Sequence, residues 1–222
     1  MSGPSVMHEI LDLARWAPSG DNTQCWQFEI LAPDHVAVHG FDTREHCVYD
    51  LDGHPSQISY GALLETLAIA ATGHGMRADV QRREGLPDDK PVFDVRLVRD
   101  PAITPSPLIP AITRRSVQRR PMRTRPLSVQ EKAALEAAVA DGYTVSWLEG
   151  TRVKLRTAKL MYNNARLRLS MPEAFETHRK IIHFGVSHSP DRVPDKALGL
   201  DPMTLKMMKW AMVGWGLSLI HI

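Results

Sequence analysis

Apolar residues recur every three or four positions along much of this chain, which is the spacing of a helix with one buried face. The strongest such pattern runs from Ile58 to Thr72 and stops at Gly73, and glycine commonly follows the last residue of a helix. Ser128 and Glu131 form the capping-box pattern that opens another helix. The same signals predict further helices over Val6–Trp16, Val129–Ala140, Arg152–Ser170 and Met203–Met212, and one that opens at Pro172.

Short segments with alternating or continuous apolar residues predict strands between these helices. Val36 and Val38 alternate with polar neighbours, as expected of a half-buried strand. The predicted strands are Trp26–Leu31, His35–Gly40, Arg77–Arg83, Pro91–Val98 and a short Thr144–Leu148. This mixture of helices and strands indicates an α+β fold.

The segment 101–110 divides the chain. It carries four prolines in ten residues, a composition typical of an extended connector. We therefore expect one unit over residues 1–100, the connector over 101–110, and a second unit over 111–222.

Charge and composition exclude several classes of protein. The 222 residues include 27 basic and 25 acidic side chains, so the net charge indicates no particular partner. No apolar run approaches the ~18–20 residues that cross a bilayer, and Met1–Ser5 does not resemble a signal peptide. Cys25 and Cys47 are therefore expected to be free thiols in a cytoplasmic protein.

The loop after the first predicted helix carries the densest set of hydrogen-bonding groups. Pro18 ends the helix, and the residues from Ser19 to Gln24 supply hydroxyl, amide and backbone N–H groups. Such a loop is able to bind a polar, planar ligand along its edge. The same residue types also form ordinary caps and turns, so the residues alone leave both interpretations open.

A second candidate lies just beyond the connector, where four arginines occur in the seven residues 114–120. Guanidinium groups bind phosphate in a bidentate manner. Arg115 and Arg119 are four residues apart, so one helical turn would place them on the same face. A solvated basic turn is the alternative, and binding to nucleic acid through the six arginines of Arg114–Arg125 is another.

The first loop resembles a known flavin-binding sequence. Ala17-Pro18-Ser19-Gly20-x-Asn22-Thr23-Gln24-x-Trp26-x-Phe28 is similar to the first flavin-binding loop of the nitroreductase family. The resemblance implies that an FMN lies across this loop and is held by Pro18, Ser19, Asn22 and Gln24. Cys25 departs from the family, which usually has proline at this position.

The arginine cluster resembles a motif of the larger, two-repeat nitroreductase-like proteins, Arg-x-Thr-Asn-Arg-x-Pro-Phe. The similarity of Arg115–Met122 implies that Arg115 and Arg119 hold the FMN phosphate, with Ser116 beside them. Val117 departs from the hydroxyl position of that motif. Residues 56–71 look like the family's central helix, in which Gly61 would permit close backbone packing.

The resemblance implies a nitroreductase-like antiparallel sheet sandwiched by helices, with an incomplete second repeat over 111–222. The full-length protein would be a pseudo-dimer or a homodimer. Residues 214–222 end without a polar segment, so we expect a truncated fragment whose last six or so residues are not native. A genuine apolar terminus that docks on the body is the alternative.

The function implied is an FMN-dependent oxidoreductase that takes hydride from NAD(P)H and reduces a small acceptor such as a nitroaromatic or a quinone. No residue stands out as a catalytic acid or base. The alternative is a flavin-binding or sequestering protein without turnover. A metal site is not expected, because His178, His183 and His188 are spaced five apart, and we expect neither nucleic acid nor membrane as a partner.

Overall fold

The computed structural model describes residues 5–45, 47–139 and 141–214 as a mixed α+β chain with a four-stranded antiparallel sheet, which confirms the fold class at that level. The helices among these residues are α1 (Val6–Ala14), α2 (His54–Thr72), α3 (Ile109–Ile112), α4 (Val129–Ala137), α5 (Thr151–Leu169), α6 (Pro172–Ile181) and α7 (Pro202–Ala211). The strands are β1 (Trp26–Ala32), β2 (His35–Gly40), β3 (Met76–Arg82), β4 (Val92–Arg99), β5 (Ile182–His183) and β6 (Val193–Pro194).

The main sheet has the strand order β1-β2-β4-β3, and every neighbouring pair is antiparallel. β2 lies inside the sheet, where Val36 pairs with Ile30 of β1 and with Val95 of β4. Val36 and Val38 are fully buried, but so is Ala37 between them, so this part of β2 is buried on both faces and not half-buried as predicted. The short strands β5 and β6 form a separate parallel pair.

One hydrophobic core holds α1 and α2 against the sheet. Leu63 and Leu67 of α2 are fully buried in it, and each contributes about 1.5–3 kcal/mol by burial. Ile10 of α1 and Val95 of β4 belong to the same core. The apolar positions that predicted these helices and strands are therefore the positions that form the core.

The part of the chain that follows α3 is packed differently. α4 and α5 contain no buried residue, although Ser128 and Glu131 form the predicted capping box. Beyond residue 112, the buried apolar residues in the described parts of the chain are Ala174, Phe175, Ile182, Val193 and Ala211. These residues are too few and too scattered to form a second core.

Three sequence-based expectations are wrong in detail. Thr144–Leu148 is irregular rather than a strand; no described strand pairs with it, and Trp147 instead donates a hydrogen bond to Glu136 at 2.6 Å. Ile58 is 73% exposed, because it lies on the face of α2 opposite the sheet. No described atom lies within 4 Å of a Cβ added at Gly61, so this glycine permits no close packing within the described chain.

The proline-rich connector is tied to the end of α2. The Ser106 amide donates to the Thr72 hydroxyl at 2.8 Å, and Ile109 approaches Gly73. The expectation about the last six residues, 217–222, lies outside the described part of the chain. No helix in the described ranges combines the length and apolar character needed to cross a membrane.

Candidate binding site

A cavity of about 490 Å³ lies where three distant segments of the chain meet. The first segment is the loop between α1 and β1, the second is the arginine segment after α3, and the third runs from Ser187 to Ala197 around β6. We call the third segment the 187–197 wall. The volume falls within the ~300–1,000 Å³ typical of small-molecule and cofactor sites.

All the site residues predicted from the sequence line this one cavity. They are Pro18, Ser19, Asn22, Gln24, Arg115, Ser116 and Arg119. The two groups are separated by about ninety residues of sequence, and only the fold brings them together. Convergence on one cavity is a geometric finding, and the assignment of these residues to a cofactor remains a prediction.

Sequence reasoning missed the 187–197 wall, which contributes Ser187, His188, Ser189, Val193 and Pro194 among others. This segment has no motif and no helical or strand periodicity. Its position depends on the packing of α6 and on the β5–β6 pair, so no local signal was there to find it.

The loop between α1 and β1 has an unusual backbone. Asp21, Asn22 and Gln24 all have positive φ values, of 49°, 58° and 49°. Left-handed backbone in a residue other than glycine costs about 1–3 kcal/mol and persists only where surrounding contacts enforce it. Here the backbone amide of Gln24 donates to the Ser19 hydroxyl, and the backbone amide of Gly20 donates to the Ser59 hydroxyl of α2, both at 3.2 Å.

Asn22 connects this loop to the 187–197 wall. Its side-chain amide nitrogen donates to the carbonyl of Ser189 at 3.1 Å and to the carbonyl of Arg192 at 2.9 Å. Its side-chain oxygen accepts a hydrogen bond from the side-chain amide of Gln24 at 3.3 Å. Both ends of the Asn22 side chain are therefore occupied by protein groups.

The arginine segment reaches the cavity without forming the helical turn that the spacing suggested. Residues 115–119 have no regular secondary structure. The Arg115 guanidinium donates to the carbonyl of Trp16 at 3.1 Å, which ties the segment to the end of α1. Gly199, with φ of 76°, lets the chain pass close to Arg119, because a Cβ there would lie 2.8 Å from the Arg119 carbonyl oxygen.

The electrostatic character of the cavity is one-sided. Arg15, Arg115 and Arg119 line it, and no carboxylate occurs among its described lining residues. Arg15 is partly neutralised by Asp12 at 2.8 Å, whereas no ion pair is seen for Arg115 or Arg119 among the described residues. The cavity is therefore suited to an anionic ligand.

The opposite side of the same loop borders a second cavity of about 240 Å³. There the Tyr49 hydroxyl donates to the Asp21 carboxylate at 2.9 Å, and burial raises the Tyr49 pKa far above its ordinary value. The Arg168 guanidinium lies 5.3 Å from the centre of the Tyr49 ring, and the His178 ring lies 5.9 Å from it. Burial, and secondarily Arg168, lowers the His178 pKa.

The two cysteines are free, as expected. Both are buried, and burial raises the pKa of each thiol. A cysteine acts as a nucleophile or metal ligand through its thiolate. Neither Cys25 nor Cys47 is therefore set up for covalent catalysis.

Within the described residues, no group of three or more His, Cys, Asp or Glu side chains is arranged to hold a metal ion. No family model matches the chain, and no curated protein is significantly similar to it.

Proposed function

We propose that this chain binds FMN in the 490 Å³ cavity and acts as a cytoplasmic FMN-dependent oxidoreductase of the nitroreductase type. The observation that carries the proposal is the convergence of the two predicted groups, one rich in amide and hydroxyl groups and one rich in arginine, on a single cavity. The resemblance implies that both groups hold one FMN, and their position around a single cavity supports that implication.

The arginine side of the cavity suits the phosphate. Arg115 and Arg119 both line it, and guanidinium groups remain charged at every physiological pH. The Ser116 hydroxyl is available to donate a further hydrogen bond. A mononucleotide fits this donor set better than a dinucleotide, because the chain has no Gly-x-Gly-x-x-Gly segment.

The loop side of the cavity suits the polar edge of a flavin ring. Ser19 and Gln24 supply hydroxyl and amide groups on a backbone that is held in place before any ligand arrives. The flavin supplies the hydride chemistry when bound, and the residues of the chain bind, orient and shield it. We assign no catalytic acid or base, since a hydride transfer from NAD(P)H to a small acceptor needs none from the protein.

The exposed apolar faces of the second region support an oligomeric form of this enzyme. Leu160, Met161 and Tyr162 of α5 are each more than 60% exposed. Exposed apolar patches on soluble proteins commonly mark contact surfaces. We propose that a second nitroreductase-like unit covers α5 in the working protein, as a homodimer or a pseudo-dimer.

Two measurements test the proposed function. Denaturing the purified protein and separating the released flavin by chromatography should yield FMN; recovery of FAD would contradict the proposal, as would a failure of the protein to bind added FMN. Anaerobic mixing of the FMN-loaded protein with NADPH should bleach the flavin band. A flavin that stays oxidised under these conditions would instead support a binding or sequestering protein.

A further inference from the structure

We infer that Asn22 is a positioning residue that holds the 187–197 wall against the ligand and thereby sets how long the ligand stays bound. This inference rests on the proposed function, because it takes FMN as the ligand. It reverses the role that the sequence suggested for Asn22, which was direct contact with the cofactor.

The hydrogen bonds of Asn22 carry the argument. Its amide donates to two carbonyls of the wall, those of Ser189 and Arg192, so both of its N–H groups are used. Its oxygen is used by Gln24. Because protein groups already hydrogen-bond both ends of the Asn22 side chain, its contribution to the site is to position the wall.

Little regular structure holds the part of the wall that Asn22 contacts. Ser189, Pro190 and Val193 line the cavity, whereas the strands that flank the segment, β5 and β6, have two residues each. The His183 ring of β5 also reaches the Ser189 hydroxyl at 3.1 Å, but that bond lies within the connection between β5 and β6. Two described side chains outside the wall hydrogen-bond its backbone: Asn22 donates to the carbonyls of Ser189 and Arg192, and Arg120 donates to the carbonyl of Lys196 at 3.4 Å. Asn22 therefore holds the part of the wall nearest Ser189, and Arg120 holds its far end.

The strained backbone explains why the contact is placed where it is. With φ of 58°, Asn22 has the left-handed conformation, which asparagine tolerates better than most residues. From this backbone the side-chain nitrogen reaches carbonyls of residues about 170 positions later, while the side-chain oxygen stays within the loop and accepts from Gln24. A relaxed, extended residue at this point would direct its side chain elsewhere.

The test compares Asn22→Gly, Asn22→Asp and the matched control Gln130→Glu, the same amide-to-carboxylate change at an exposed position of α4. Glycine removes the amide and accepts the positive φ, so the loop keeps its shape. For N22G we expect hydrogen exchange across residues 185–195 to speed up about tenfold without ligand, because two hydrogen bonds are lost. We also expect FMN to dissociate about tenfold faster, with the association rate changed less than about threefold.

The Asp variant tests the donor role directly. Its carboxylate faces two carbonyls and donates to neither, so at pH 8 the FMN dissociation rate should exceed that of N22G. The two carbonyls disfavour the charged form of this carboxyl, so on acidification to pH 5 a larger fraction gains a proton and one donor, and the rate of N22D relative to Q130E should fall. The ratio removes the common effect of the charged groups present in both variants, which are Asp21, Arg120, His183, His188, Asp191, Arg192, Asp195 and Lys196.

Three outcomes would overturn the inference: unchanged exchange over 185–195 in N22G, faster exchange with unchanged FMN dissociation, or an N22D ratio that does not vary with pH. If the unmodified protein fails to bind FMN, the proposed function is wrong. In that case the exchange measurement alone decides whether Asn22 holds the wall.

Discussion

Residues 5–112 and residues 113–214 are built on different principles. The first region packs α1 and α2 on an antiparallel sheet around a continuous core. The second region contains two helices, α4 and α5, without a single buried residue. The burial of its own apolar side chains therefore stabilises the first region, whereas the second region depends on its contacts with the first.

Polar and aromatic contacts join the two regions. Arg115 donates to the Trp16 carbonyl, Asn22 donates to the 187–197 wall, and Tyr49 lies between the side chains of Arg168 and His178. The candidate site lies at this junction. A ligand there would touch both regions, so its binding should stabilise their association.

The largest effect is expected in the core of the first region. Leu63→Ala removes a fully buried side chain of α2, and we expect a loss of about 2–5 kcal/mol in the free energy of unfolding, from lost burial and the cavity left behind. Urea denaturation followed by circular dichroism measures it. A loss below about 1 kcal/mol would show that this core does not dominate stability.

Substitutions in the arginine segment should affect the site and not the fold. Arg115→Ala and Arg119→Ala should each weaken FMN binding by about 1.5–3 kcal/mol, the value of a hydrogen bond to a charged group. Quenching of flavin fluorescence measures the affinity. Arg123→Ala and Arg125→Ala are the controls, because neither residue lines the cavity and Arg125 pairs with Glu131. Equal losses from all four would indicate a diffuse basic patch and would contradict the phosphate assignment.

A third prediction concerns pH and the contact of α6 with Tyr49. The folded state lowers the His178 pKa, so below about pH 6.5, the ordinary histidine value, the unfolded chain binds a proton more readily and stability falls. His178→Gln should lower the free energy of unfolding by about 1 kcal/mol at pH 8 through lost packing. The loss should be smaller at pH 5, because there the wild-type protein is itself destabilised by the lowered His178 pKa.

Unfolding curves of both proteins at the two pH values measure this difference. A cost that is equal or larger at pH 5 would contradict the assignment of His178 as a buried neutral ring. Arg168 is close enough to add to the penalty, and Asp21 opposes it.

The smallest effect is expected on α5, and it is matched to the first prediction. Leu160→Ala changes the same residue type in a helix that also has 19 residues, but Leu160 is 68% exposed. At low protein concentration the free energy of unfolding should change by less than about 0.5 kcal/mol. At high concentration, gel filtration should show weaker self-association if α5 meets a second unit. A loss above 1 kcal/mol in the monomer would show that α5 packs on the body.

The sequence predicted local structure well wherever a single segment contained the reason for it. The helical spacing of Leu63 and Leu67 and the capping box at Ser128 depend on neighbours within a few residues. The failures have the same explanation. Thr144–Leu148 has strand-like composition but no described partner strand, and Ile58 has helical spacing but lies on the wrong face of α2.

By itself, the sequence determined which residues carry the candidate chemistry, because hydroxyl, amide and guanidinium groups are recognisable as residue types. The family resemblance implied one ligand for the Ser19–Gln24 loop and the Arg115–Arg119 segment, but the tertiary structure alone decided how they meet and that the 187–197 wall lines the cavity with them. It also decided that the Asn22 amide faces protein carbonyls. The physical reason is that such contacts join residues from about 90 to 170 positions apart, and their energies depend on the packing of the elements between them.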